Sequence, residues 1–480
     1  MPDRVFCVDF GSAYTKVALR TANEDTTEPV RCSDLSQELW APTVVAADWS
    51  RPDAPRLEFG FKAADIKPNA GKKIAVYSNF KRDLFAPPPS DDDPPPVHPL
   101  DALLGSEEFE ALATKYSVLP QWVSGLRTMA SAARRMFPTP NDKLPNSAAR
   151  RQDEAKRLAH QYFKWLRGRV LAHCANLRHT ALNYEEIPLR VTVPALAPTT
   201  ELELHPGCVR LREALAGTGW KLDDRLFVTE PEANAVGVLT KGENRFNKLK
   251  SKINFREMFN KGPLVTVVAG NPAYPTYRAL VIDVGAFTTD FAALEIDTGG
   301  SKSGGTTNFT VTQRSIPHGL AALDDSVKVG FAPEKREQLE ALSRKDFAAF
   351  QNSAYVEGTG YRIGPGKVIG GDADRPVLQS ALDAFVATLS AEAVAFCEPL
   401  GAATMQELIL TGGGNNIPGV RDGLTVAAAK APGREFVKIH APGLKKNKSA
   451  TVLADPLDER FARGASAIGG ASIYFERGYY

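Results

Sequence analysis

Leu280-Val281-Ile282-Asp283-Val284-Gly285-Ala286-Phe287-Thr288-Thr289-Asp290-Phe291 is the stretch on which the fold turns. It opens as a short apolar run, the pattern of a buried strand. The chain turns at Gly285 and resumes as a second strand, Phe291-Ala292-Ala293-Leu294-Glu295-Ile296. The hairpin tip carries a carboxylate, a glycine and two hydroxyls. A turn of this kind aims backbone N–H groups and hydroxyls at an anion. A carboxylate facing a phosphate implies a bridging Mg²⁺, usually held through water. Taken alone, the stretch is equally an ordinary β-hairpin.

A second copy opens the chain. Arg4-Val5-Phe6-Cys7-Val8-Asp9-Phe10-Gly11-Ser12-Ala13-Tyr14-Thr15-Lys16-Val17-Ala18-Leu19 has the same plan: an apolar strand ending in Asp, a turn at Gly and hydroxyls, and a further apolar strand. Two Asp-x-Gly hairpins far apart predict two related lobes, each offering one hairpin to a shared phosphate chain.

The chain has 480 residues, which predicts roughly two to four domains. With 43% hydrophobic and 24% charged residues it has the composition of a soluble globular protein. A net charge of +2 argues against a nucleic-acid protein that works by neutralising phosphates. Cys7, Cys32, Cys174, Cys208 and Cys397 form no CxxC pair, which argues against zinc and for a reduced intracellular setting. No apolar run reads as long enough to span a bilayer, and the N-terminus lacks a signal-peptide pattern. The expected location is cytoplasmic.

Between the hairpins, Ala41 to Ala47 and Leu57 to Phe61 read as paired strands. Asn79-Phe80-Lys81-Arg82-Asp83-Leu84-Phe85 sets two cations in a short segment, ordinarily a solvated face. Residues 86–97, with six prolines and three aspartates, form an extended linker. Residues 101–180 read as mostly helical. The clearest helix, from about Asp153 to Leu177, has an apolar face of Leu158, Tyr162, Phe163, Leu166, Val170 and Cys174. Its basic face, Lys156 to Arg169, is better read as solvated than as a dock for an acidic partner. His173, Cys174 and His179 do not share one face, so no metal site is expected there. Pro188 to Ala195 and Leu226 to Val228 read as strands, and Val209 to Gly219 as a short helix. Glu230-Pro231-Glu232-Ala233-Asn234-Ala235-Val236-Gly237 starts a helix lined with small residues. Glu230 is either a helix-capping acid or a carboxylate that orients a water. Residues 240–262 form a polar excursion. Leu264 to Val268 and Arg278 to Ile282 read as strands, residues 298–307 as a polar loop, and Glu334 to Ser353 and Pro376 to Leu400 as helices. Glu407-Leu408-Ile409-Leu410-Thr411-Gly412-Gly413-Gly414-Asn415-Asn416-Ile417-Pro418 reads as a strand, a glycine turn and a helix start. Bare backbone there lets a flat ring or sugar lie close. Asp458 to Ala471 is a second small-residue helix. Two such helices crossing closely would make a hinge between lobes.

The order of five elements, namely the Asp9 hairpin, Glu230-Pro231 helix, Asp283 hairpin, Gly412 turn and Gly464 helix, resembles the actin, sugar-kinase and heat-shock ATPase superfamily. Within it the chain is most similar to the nucleotide-binding domain of the seventy-kilodalton heat-shock (DnaK-type) chaperones. Val191-Thr192-Val193-Pro194-Ala195, Glu230-Pro231, Ile409 to Pro418, Asn79 to Leu84 and His318-Gly319-Leu320 with Asp324-Asp325 carry that likeness. It covers most of the chain except residues 86–155 and 240–262.

The resemblance implies an α/β fold of two ribonuclease-H-like lobes around a nucleotide cleft. Lobe one would be residues 1–240 completed by 455–480, with the linker 86–100 and a helical insertion 101–155. Lobe two would be residues 241–454. The ligands implied are ATP or ADP with Mg²⁺, the metal held through water by Asp9 and Asp283. Ser12, Ala13, Tyr14, Gly285, Ala286 and Phe287 would offer backbone donors to the β- and γ-phosphates, with Gly11 counted among the nucleotide contacts, and Thr288 would contact the γ-phosphate. Lys81 and Glu230 would position the attacking water. Gly412, Gly413, Gly414, Asn415, Asn416 and Ile417 would cover ribose and adenine, with Asp458 counted among the nucleotide contacts. Lys16 matches a phosphate-binding lysine of the actins that heat-shock chaperones lack. Ala286-Phe287 stands where the chaperones have glycines, Asn416 stands where they stack an arginine on adenine, and the helix bearing their other adenine contacts has no recognisable counterpart. No peptide-binding β-sandwich is expected.

The activity implied is slow ATP hydrolysis that switches conformation, read by a protein partner. The alternatives are an actin-like filament-forming ATPase and a non-hydrolysing nucleotide-binding scaffold. A sugar kinase fits less well, because its catalytic aspartate is not evident. Oligomeric state and partner are left open.

Overall fold

The structure, a computed structural model, describes residues 4–21, 26–48, 50, 55–68, 73–87, 148–176, 183–196, 199–239, 276–297, 309–364, 367–400, 405, 407–430, 436, 438–445 and 453–472. The linker from residue 88, most of the insertion 101–155, His179, the segment 240–262, the strand 264–268 and the loop 298–307 lie outside these residues.

The opening hairpin is β1 (Val5–Phe10) and β2 (Tyr14–Thr21), with Asp9 opposite Lys16. Every residue of β1 is buried, as expected of a strand covered on both faces. β3 (Thr26–Val30) continues the antiparallel meander, and β4 (Ala41–Pro42) pairs with the start of β2. β5 (Val44–Asp48) leaves this sheet. It joins β6 (Arg56–Phe59) and, after α1 (Gly60–Ala64), β7 (Ile74–Ser78) in a small antiparallel sheet. α2 (Phe80–Phe85) and α3 (Ala148–Ala175) follow. β8 (Pro188–Val193) then lies parallel to β1, and after α4 (Pro206–Leu215), β9 (Lys221–Thr229) lies parallel to β8. The sheet order is β3-β2-β1-β8-β9. α5 (Glu230–Leu239) leaves its end directly.

The second half repeats this scheme. β10 (Thr276–Val284), β11 (Thr289–Asp297) and β12 (Phe309–Ile316) form an antiparallel meander. Next come α6 (Leu320–Gly330), α7 (Pro333–Glu340) and α8 (Arg344–Gln351), the small hairpin of β13 (Tyr361–Gly364) and β14 (Lys367–Ile369), and α9 (Arg375–Cys397). β15 (Glu407–Thr411) lies parallel to β10. After α10 (Pro418–Lys430), β16 (Lys438–Pro442) and β17 (Leu453–Leu457) extend the parallel side, and α11 (Glu459–Gly470) follows. The order is β12-β11-β10-β15-β16-β17. In both sheets three antiparallel strands run third, second, first, and parallel strands add on the far side of the first. The protein is a mixed α/β fold.

Period-two alternation decides what each face of the second sheet buries. Ala279, Val281, Ala292, Leu294 and Ile409 join the core that runs from the first sheet through α5 and α11. Leu280, Ile282, Phe291, Leu408 and Leu410 face the other core, under α6, α9 and α10. α5 and α11 cross at backbone contact. A Cβ on Gly237 would sit 2.8 Å from the Ala465 carbonyl carbon, and one on Gly469 would sit 2.8 Å from that of Ala233. The small residues of both helices are what permit this approach.

Three sequence expectations change. The helix expected over Glu334–Ser353 is two helices, because Ser343 caps a new one: its side chain accepts from the Asp346 amide at 3.1 Å. A lobe boundary between 454 and 455 cuts β17, whose five residues all pair with β16. Residues Asp372–Leu400 do reach the length and hydropathy of a membrane span, with a mean of 1.4. The cause is an alanine-rich α9 with few charges, whose Leu378, Phe385, Leu389 and Phe396 are buried in the second core.

Candidate functional site

A cavity of about 380 Å³ lies where the two hairpin tips meet. Asp9, Gly11, Ser12, Ala13, Tyr14 and Lys16 line it from the first hairpin, and Asp283, Gly285, Ala286, Phe287 and Thr288 from the second. Lys81, Glu230, Gly412, Gly413, Asn416 and Ile417 complete the set that the sequence predicted and the structure brings together.

Both tips are braced from behind. Thr43 donates through Oγ1 to the Gly11 carbonyl at 2.6 Å and through its amide to the Ala13 carbonyl at 3.0 Å. A side chain on Gly11 would press within 2.5 Å of the Tyr14 carbonyl oxygen. At the second tip, the first amides of α6 do the bracing: Leu320 donates to the Gly285 carbonyl at 3.0 Å and Ala321 to the Ala286 carbonyl at 2.8 Å. The Gly285 amide donates to the Thr288 carbonyl at 2.9 Å. It is therefore spent on closing the turn, a correction to its expected role as a phosphate donor.

The charges around the hairpin tips come from six elements. Lys16 on β2 reaches Asp9 on β1 at 2.9 Å, and Thr192 of β8 donates to the other Asp9 oxygen at 3.4 Å. Lys81, in the first turn of α2, pairs with Glu230, the first residue of α5. Asn79 before it takes a φ of 62°, a left-handed conformation that asparagine tolerates. Thr288 Oγ1 lies 3.4 Å from Glu230 and 3.4 Å from Asp290. Glu230 thus stands at the strand-to-helix junction with its carboxylate in the cavity.

Four carboxylates (Asp9, Glu230, Asp283, Asp290) share the cavity wall with Lys16 and Lys81. Burial pushes the Asp283 carboxyl up to about 7; Lys16 pulls it down, Asp9 pushes it up, and Thr411, donating at 3.1 Å, pulls it down. Asp290 is raised by burial, then by Glu230 and Asp283. For Lys16, burial works against the charge, but Asp9, Asp283 and Glu230 outweigh it and the amine is raised overall. At the hairpin tips these four carboxylates outnumber the two lysines, a local arrangement that a hard divalent cation balances, while Arg344, Lys345 and Arg463 line the same cavity. Among the described residues no three His, Cys, Asp or Glu side chains converge to ligate a metal directly. Asp9 and Asp283 are the carboxylates that could hold a Mg²⁺ through its waters.

Three predicted residues do not line the cavity. Gly414 packs beneath the glycine turn, against Val284. Asn415 is fully buried there, and its Nδ2 donates to the carbonyls of Ile282 and Thr411. Asp458 caps α11, accepting from the amides of Arg460 at 2.9 Å and Phe461 at 3.2 Å. The resemblance assigned them by position in a motif, while local hydrogen bonding fixes where they point.

Sequence reasoning missed other residues. Asn234, one turn after Glu230 on α5, donates to Asp283 and to Thr411 Oγ1; its i,i+4 spacing from Glu230 was the available signal. Asp290 lay within the opening stretch without a role. Ser12 carries a buried hydroxyl with no partner among the described residues, at the cavity wall. The far wall is α8 and the π-helical turn Asn352–Glu357, which bring Arg344, Lys345, Gln351, Asn352 and Tyr355 to the cavity. π-Turns often sit at functional sites, but nothing in the sequence marks one here.

No protein-family model matches the chain, and no curated protein is significantly similar to it.

Proposed function

We propose that the protein binds ATP with Mg²⁺ in this cavity and hydrolyses it slowly, as a heat-shock-chaperone-like switch whose state a partner protein reads. The observation that carries this reading is the meeting of two hairpins of one topology at a single cavity, each bringing an aspartate, with Lys81, Glu230 and Thr288 beside them. The repeated strand order supports a two-lobed, actin-like fold of ribonuclease-H-like halves. The close α5–α11 crossing is suited to a hinge between them.

In this reading Asp9 and Asp283 would hold Mg²⁺ through water, and the ion would supply positive charge to the phosphate chain. Ser12 offers a hydroxyl unpaired among the described residues, and Ala286 and Phe287 offer backbone donors. Lys16 adds a fixed positive charge at the phosphates. Glu230, held by Lys81, accepts a hydrogen bond from the attacking water and aims it along the line of the breaking bond. Thr288, within reach of Glu230, steadies the transferred group.

Single-turnover hydrolysis of ATP with Mg²⁺, measured on the wild type and on Glu230→Ala and Lys81→Ala, tests this. Both variants are expected to bind ATP and to hydrolyse it roughly 100-fold or more slowly. Unchanged turnover in both would remove the assigned roles. Binding without any wild-type turnover would leave the scaffold alternative.

A further inference from the structure

Asn234 is a polar residue in an apolar stretch of α5. Its neighbours Ala233, Ala235 and Val236 are at most 2% exposed, and Asn234 itself is 1% exposed. Its Nδ2 donates to Asp283 Oδ2 and, at 2.9 Å, to Thr411 Oγ1. Thr411 in turn donates from Oγ1 to the same Asp283 oxygen at 3.1 Å. The three side chains close a ring in which the hydroxyl accepts one bond and gives one, and Oδ2 takes two. A carboxylate only accepts and an amide NH₂ only donates, which fixes the direction of each bond. The amide keeps this orientation although its own Oδ1 is buried with no partner among the described residues, a cost that the bonds to Asp283 and Thr411 must outweigh.

The other Asp283 oxygen, Oδ1, makes no hydrogen bond among the described residues. It lies against Gly412, where an added Cβ would collide with it. Asp283 lines the cavity and is only partly buried, so Oδ1 is the oxygen left to a ligand. The two donors come from different halves of the fold. Thr411 ends β15, beside β10 in the second sheet, whereas α5 leaves the end of the first sheet. We propose that Asn234 is a positioning residue for the metal site: with Thr411 it locks Asp283 so that Oδ2 is held by the protein and Oδ1 stays free for the waters of Mg²⁺. This rests on the reading above that Asp283 would hold a hydrated Mg²⁺. Partners behind a metal-binding carboxylate set its orientation, and losing one costs about 10–100-fold in metal affinity. Thr411 belongs to the same sheet as Asp283 and moves with it. Asn234 reaches it from the other half, so the carboxylate is in place only when α5 is.

The Mg²⁺ concentration that gives half-maximal ATP binding to the full-length protein tests this, alongside ATP affinity and the urea midpoint in EDTA. Asn234→Leu keeps about the same side-chain size and removes the donor. It should raise the half-maximal Mg²⁺ concentration roughly 10-fold and change the affinity in EDTA by less than about twofold. In an Asp283→Asn background the same substitution should add less than about twofold, because Asn234 acts through that carboxylate. Thr411→Val removes the other donor at the same shape. It should raise the Mg²⁺ requirement as well, and it carries the test if Asn234→Leu does not fold. A lower urea midpoint with no change in Mg²⁺ requirement, or an equal rise with and without the Asp283 carboxylate, would make Asn234 a structural residue only and overturn the inference while the metal site stands. Wild-type protein that binds no ATP, or binds it indifferently to Mg²⁺, would remove the metal reading and this inference with it.

Discussion

Gly469→Ala is the perturbation whose consequence the structure fixes most sharply. Gly469 lies on α11 where it crosses α5, and an added Cβ would stand 2.8 Å from the Ala233 carbonyl carbon and closer still to its oxygen. Carbon atoms pack at about 3.5–4.0 Å, so the helices must part by roughly 1 Å. Neither obstacle is a flexible side-chain end; both are helix backbone. Parting the helices loosens Ala233, Val236, Ala465 and Ile468, all at most 2% exposed. Overpacking of this kind costs about 1–3 kcal/mol, occasionally more. Alanine's helix preference over glycine offsets about 1 kcal/mol of that. A net loss of up to about 2 kcal/mol follows, read as a lower midpoint in urea at unchanged slope. Gly168→Ala on α3 is the control. Nothing lies within 4 Å of its added Cβ, so the variant should gain about 0.5–1 kcal/mol. The crossing also carries Glu230 and Asn234, so Gly469→Ala should slow turnover as well. A Gly469→Ala protein as stable as Gly168→Ala would refute the backbone-contact geometry.

Other expectations follow from the charges. Lys16→Met strands Asp9, which is only 4% exposed, and should destabilise the protein by about 3 kcal/mol; pairing it with Asp9→Asn should recover most of that in a double-mutant cycle. Asp283 has a folded-state pKa near 7, above the unfolded value of about 3.9. Between those values the native state holds the extra proton, so in EDTA this carboxyl lowers stability as pH rises from about 4 through 7. Urea midpoints at pH 5 and pH 8 should show that loss, and Asp283→Asn should shrink it. Ser12→Ala removes a buried hydroxyl with no partner among the described residues. It should weaken ATP without destabilising the protein, seen as a higher dissociation constant at an unchanged urea midpoint.

Much of the scaffold was legible because short-range chemistry wrote it. Apolar runs ending in Asp-x-Gly announced β1–β2 and β10–β11, and small residues in sequence announced the α5–α11 crossing. Lys81 and Glu230 lie 149 residues apart, and only the family likeness joined them in the reading. The far wall stayed hidden for a different reason. Asn352 and Tyr355 reach the cavity from a π-turn that follows α8 directly after Gln351, and no residue pattern encodes that turn. Asp458 and Asn415 were misplaced because polar side chains next to a helix start or glycine turn satisfy the local backbone first. α9 was passed over because single charges and hydroxyls interrupt its alanines and leucines, so no unbroken apolar run shows although the mean hydropathy still reaches 1.4.

The central claim is that two hairpins hold a nucleotide between them with a metal. Equilibrium binding of ATP to the wild type, with Mg²⁺ and with EDTA, tests it most directly. The account predicts saturable binding to one site per chain, weakened at least about tenfold in EDTA and in Asp283→Asn, since two carboxylates then face the phosphates without a cation. No saturable binding in Mg²⁺, or binding indifferent to both the metal and Asp283, would contradict it.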